Sequence, residues 1–153
     1  MSVNVNQHRH LDTNLSVRTA MPAADGAADY STGIDLRSGG SAITVAGSQT
    51  AAFYGNAALQ DAEAMIRADA TATLVNTKSL VFGLQDSDDD SSYAAIDGLT
   101  TQTVTGTAGN VSAETDLRWK LPSSVRRYLR ASAICPADGG DVTAYYFTLY
   151  IVT

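Results

Sequence analysis

Five of the ten lysines and arginines fall within thirteen positions: Arg118, Lys120, Arg126, Arg127 and Arg130. Guanidinium groups present a fixed fork of donors and, together with tyrosine, carry a large share of the binding energy at protein interfaces. In extended chain, alternate residues share a face. Arg118 and Lys120 then lie together on one strand, and Arg126, Tyr128 and Arg130 lie together on the next. The chemistry this offers is recognition of an acidic partner, through a candidate protein-interface patch of Arg118, Lys120, Arg126, Tyr128 and Arg130. The plainer reading of the same residues is a solvated strand face or an internal salt-bridge ladder.

Other reactive types are present without the company their chemistry needs. His8 and His10 sit two apart near the start, with no third ligand nearby and no histidine in the later strands. Asp86, Asp88, Asp89 and Asp90 supply hard oxygen atoms of the kind Ca²⁺ prefers. They lack the glycine and the distal glutamate of an EF-hand loop, and a solubilising turn explains them as well as a weak cation site does. Glu63 and Glu114 could pair as glycosidase carboxylates, but any acid-rich β-protein offers such a pair. Cys135 stands before Pro136 with no activating histidine. No serine elbow, phosphate loop or nucleotide fingerprint occurs. The expectation is a protein that is not an enzyme, with no catalytic residue, cofactor or metal.

The elements that must position the basic residues are strands. Leu117, Trp119 and Leu121 alternate with Arg118 and Lys120 until Pro122 ends the run. Leu129, Ala131 and Ala133 form the apolar side of the next strand, and Tyr145, Phe147, Leu149 and Ile151 that of the last. Pro136-Ala137-Asp138-Gly139-Gly140-Asp141 between the last two reads as the loop of a hairpin. Upstream, Ile66–Leu74 alternates over nine residues, Asn76-Thr77-Lys78 is a turn, and Ser79–Leu84 is a central strand followed by a loop at Gln85–Ser92. Leu99–Gly106 reads as a threonine-rich edge strand. Ala42–Val45 and Ala51–Tyr54 are short strand candidates, and Ala57–Ala64 could hold a turn or two of helix. Residues 1–30 have neither period and read as an N-terminal arm that frays or lies on a neighbouring subunit. Residues 31–153 form the domain. About eight to ten strands with turns every eight to twelve residues predict an all-β jelly roll or antiparallel β-sandwich.

At 153 residues the chain suits one domain. Charged residues make up only 17%, and alanine, threonine, serine and glycine fill the gap, as in a β-protein that packs against copies of itself. A net charge of −6 argues against nucleic acid as a partner. No stretch approaches a membrane span, and the opening MSVNVNQHRHLD lacks the apolar core of a secretory leader. A cytoplasmic origin is the expectation, unless the chain leaves on something larger. The single cysteine permits no internal disulfide.

Ser31-Thr32-Gly33-Ile34-Asp35-Leu36, the strand leading to Leu80–Asp88, and Leu121-Pro122 followed by Arg127-Tyr128-Leu129-Arg130 and a closing Gly turn together form a pattern. Over residues 31–153 it resembles the capsid cement (decoration) proteins of tailed bacteriophages. That resemblance implies a jelly-roll subunit on the outside of an icosahedral head, assembled in the host bacterial cytoplasm. Its implied partners are the major capsid protein and copies of itself, as a homodimer or homotrimer. A carbohydrate- or receptor-binding jelly roll on a phage or cell surface is the alternative. It would draw on Trp119, Tyr54 and Tyr93 as a platform, although the alternation around Trp119 points that ring inward.

Overall fold

The computed structural model describes residues 11–23, 26–36, 44–45, 49–50 and 62–152. Among them are twelve strands and no helix. They are β1 (Leu11–Ala20), β2 (Ala28–Tyr30), β3 (Ile34–Asp35), β4 (Thr44–Val45), β5 (Gln49–Thr50), β6 (Glu63–Ala68), β7 (Ser79–Ser87), β8 (Ala94–Ala95), β9 (Gln102–Thr105), β10 (Thr115–Lys120), β11 (Tyr128–Ile134) and β12 (Tyr146–Val152).

Two antiparallel sheets carry the domain. One has the order β1-β12-β6-β10, and the other the order β2-β11-β7-β8, with β3 also on β11 and β9 also on β7. Among the described residues, strands β4 and β5 pair only with each other. This interleaving of early and late strands is jelly-roll topology, in which the chain crosses repeatedly from sheet to sheet. The inner faces meet in one core. Ala64, Ile66, Ala68, Leu117, Trp119, Phe147, Leu149 and Ile151 come from the first sheet, and Leu80, Phe82, Leu84, Leu129, Ala131 and Ala133 from the second. Phe82 and Phe147 meet edge to face across the core, with ring centroids 5.8 Å apart.

The last two strands are not a hairpin. β11 lies between β7 and the β2/β3 edge, whereas β12 lies between β1 and β6 in the opposite sheet. The loop around Gly139 and Gly140 is therefore a crossing between layers, with Val142 and Cys135 buried beneath it. Periodicity could not reveal this, because two strands alternate identically whether they lie side by side or face each other across a core. For the same reason β10 pairs with β6 rather than β11.

Two further expectations shift. The alternating stretch read as Ile66–Leu74 is a strand from Glu63 to Ala68, since both neighbours of β6 pair over that range. Alternation then fails at Ala70, which is exposed. Glu63 and Ala64 open this strand rather than a helical turn, and 57–61 lie outside the described residues. Within 1–30, the stretch expected as an arm, β1 runs along β12 as the edge of its own sheet and β2 pairs with β11. Met21 is buried in the core and donates its N–H to the Tyr145 carbonyl at 2.9 Å. His8, His10 and the stretch Ala51–Tyr54 lie outside the described residues.

Candidate interaction surface

The five residues of the basic patch do not share one surface. Arg118 and Lys120 are exposed on the outer side of β10, at one edge of the four-stranded sheet. Tyr128 and Arg130 lie on the outer side of β11, in the middle of the other sheet. The sheets stack through their inner faces, so the two groups look in opposite directions.

Arg126 serves neither face. On β7 the inward positions Leu80, Phe82 and Leu84 continue into Asp86, where the core ends. Asp86 is only 5% exposed, and a lone carboxylate there would be costly. Arg126 closes the site: its backbone N–H donates to Oδ2 at 2.9 Å, its Nε to Oδ1 at 2.7 Å, and its Nη2 to the Asp86 carbonyl at 2.7 Å. Asp86 is thus a strand residue held by arginine, not a loop ligand. Arg127 forks onto Asp35 of β3, Nε to Oδ1 at 3.1 Å and Nη2 to Oδ2 at 2.6 Å. These pairs raise both arginines' pKa further.

Arg130 is held differently. Its Nε and Nη2 donate to Gln85 Oε1, its direct cross-strand partner, at 2.9 and 2.7 Å. Its guanidinium lies 4.1 Å from the Tyr30 ring centroid and 4.0 Å from that of Tyr93. Both rings lie within cation–π range of the one guanidinium. Tyr93 donates its hydroxyl to Asp90, and burial followed by that bond pushes its pKa up. Arg127 adds a contact 4.9 Å from the Tyr128 centroid, and Tyr30 remains 44% exposed. The platform of Tyr30, Arg130, Tyr93 and Tyr128 is aromatic and outward-facing. Sequence reasoning missed Tyr30 and the stacking role of Tyr93, because each ring arrives from a different segment than β11.

The opposite face has its own ladder. Arg67 forks onto Asp116, Nε to Oδ1 at 2.7 Å and Nη2 to Oδ2 at 3.0 Å, which holds the Asp116 carboxyl below its ordinary range. Arg118 reaches Glu63 at 3.6 Å, and Arg18 lies over Tyr146 at 4.1 Å.

Asp89 spends its Oδ1 on the loop itself. The N–H groups of Ser91 and Ser92 donate to it at 3.0 and 2.8 Å, and the Ser87 hydroxyl at 2.8 Å. These donors hold its carboxyl well below the usual carboxylate range. Among the described residues, no group of three or more potential ligands could hold a metal ion. A hollow of about 290 Å³ lies beside the Asp86–Arg126 pair, lined by Ala94, Ala95, Ile96, Asp97 and Ser124. Trp119 is buried and donates its indole N–H to the Thr100 carbonyl at 2.7 Å. No protein-family model matches the chain, and no curated protein matches it in sequence.

Proposed function

We propose that the chain is a structural capsid cement protein that docks on the outside of an icosahedral phage head through the Tyr30–Arg130–Tyr93 platform. There it bridges neighbouring major capsid proteins and stabilises the shell. The observation that carries this reading is Arg130 held against two tyrosine rings on the exposed face of a jelly roll. A guanidinium already held by Gln85 and two rings has little rotamer freedom left to lose on docking. Tyrosine and arginine are also the types that anchor interfaces. The likeness of residues 31–153 to tailed-phage cement proteins supports the same assignment. A single contact of this kind is modest, and several linked through an oligomer hold much more tightly by effective concentration. No catalytic step is involved.

The test is to add purified chain to expanded heads lacking their own cement protein and to follow their disruption temperature. A rise, together with saturable occupancy, is the expected result; absence of binding to any expanded shell overturns the reading. Tyr30→Ser combined with Tyr128→Ser should lower occupancy far more than the modest loss of melting temperature that follows from removing their contacts with Arg130 and Arg127. Arg126→Glu is unsuited, since it would set a second carboxylate against buried Asp86. The alternative, a carbohydrate- or receptor-binding jelly roll, loses Trp119 to the core and has Tyr93 already committed to Arg130 and Asp90. A glycan array without hits would remove it.

A further inference from the structure

We propose that the open edge of the four-stranded sheet is a self-association surface, in which two β10 strands pair antiparallel about a twofold axis at Leu117. Among the described residues, strand β10 ends its sheet, with β6 on one side only. Leu121 donates its N–H to the Ala62 carbonyl, and Leu117 and Trp119 pair in the same register with Ile66 and Ala64. The odd-numbered residues therefore bond to β6, and the backbone groups of Asp116, Arg118 and Lys120 point to the open edge. An exposed row of this kind is a template for another strand unless something blunts it.

Charged side chains, lysine above all, are one common blunting device, and charges of one sign repel between copies. Here the outward residues read Glu114, Asp116, Arg118, Lys120: two acids followed by two bases. That sequence is antisymmetric about Leu117. Antiparallel pairing with the axis at Leu117 sets Asp116 opposite the second copy's Arg118, and Glu114 opposite its Lys120, each pair occurring twice. The parity also fits, because these are the residues whose backbone groups face outward. Slipping by two residues moves the axis to Asp116 or Arg118 and sets that charge against its own copy, and slipping by four moves it to Thr115 or Trp119 and opposes Glu114 with Asp116 or Arg118 with Lys120. Only the register centred on Leu117 sets all four charges against their opposites.

The charges already on the sheet extend the pattern. Asp116 lies directly across from Arg67, and Lys120 across from Glu63. In the pair, Arg67, Asp116 and the second copy's Arg118 form one row of alternating sign, and Glu63, Lys120 and the second copy's Glu114 form another. Lys120 makes no ion pair with any described residue, so the second copy supplies its second acidic neighbour. One existing bond must yield: the Gln102 side-chain amide donates to the Arg118 carbonyl at 2.7 Å, and the second copy's Asp116 N–H takes its place. The result is one continuous sheet made of both four-stranded sheets. This inference is independent of docking on any shell.

The test is sedimentation of the full chain at micromolar concentration. A species of twice the chain mass, weakening from low to molar salt, is expected. Lys120→Glu and Glu114→Lys should each weaken association roughly tenfold or more, since each reversal turns two attractions into two repulsions. The double variant carrying both should restore it. Melting curves check the fold; Glu114→Lys carries the test if Lys120→Glu, which faces Glu63, folds poorly. A monomer throughout, a dimer indifferent to both reversals, or a double variant no better than the singles overturns the proposal.

Discussion

Strands β10 and β11 carry similar outward residues, arginines with lysine or tyrosine, yet the protein uses them in opposite ways. β11 is central, flanked by β7 on one side and by β2 and β3 on the other. Each arginine at or near it therefore finds a partner within the chain: Arg126 on Asp86, Arg127 on Asp35, and Arg130 on Gln85 and two rings. β10 is an edge with one neighbour among the described residues. Arg118 has a single loose ion pair at 3.6 Å, and Lys120 has none with any described residue. Charge on a strand is thus not one kind of signal. In mid-sheet it is absorbed into the fold and leaves an aromatic platform; at an edge it remains available to another molecule.

The comparison can be broken in several ways, beginning with the core beneath both strands. Leu129→Ala, at a fully buried position of β11, should cost about 3–4 kcal/mol in denaturant unfolding, and Leu117→Ala on edge strand β10 about 2 kcal/mol. Equal losses would mean that β10 is as enclosed as β11. Next, Arg126→Ala should lower the unfolding midpoint more than alanine at any other arginine, because it strands the buried Asp86 carboxylate. Lys120→Ala should leave the midpoint of the monomer unchanged. Third, Arg130→Ala should cost about 1–2 kcal/mol through its two ring contacts. Arg130→Lys should recover only part of this, since an ammonium lacks the planar fork that meets both the rings and Gln85.

The smallest effect lies on the β6–β10 ladder. Asp116→Asn should cost about 0.5–1 kcal/mol at neutral pH, as expected for a partly exposed forked pair. The Asp116 carboxyl titrates lower in the folded chain than the unfolded value of about 3.9. Its contribution is therefore complete above that value and disappears as pH falls through the depressed folded pKa. Wild type and variant should differ at pH 7 and converge in acid; a constant gap would show that the charge is not what holds the pair.

Much of this was legible in residue order. The inward sets Leu117/Trp119, Leu129/Ala131/Ala133 and Phe147/Leu149/Ile151 are all buried, as their alternation requires. The Asn76-Thr77-Lys78 turn is present, with Thr77 at φ 67°. The basic residues suggest one surface because they are close in sequence, and that proximity is what the jelly roll undoes. Arg126 was assigned to a face shared with Arg130, and no local signal marked Asp86, forty residues away, as its partner. The Tyr30 and Tyr93 rings were likewise invisible, since stacking on Arg130 depends on strands and loops meeting through pairings of long sequence separation.

The sequence by itself determined which side of each strand is apolar, where several of the turns fall, and that the chain is all-β. Those properties follow from side-chain alternation and backbone preferences acting over a few residues. Only the tertiary structure decided which strands are neighbours, and hence that β11 and β12 face each other across the core. It also decided that β10 stands at an edge while β11 is enclosed. Alternation with a period of two specifies faces and says nothing of partners, because a strand buries the same residues whichever sheet it joins.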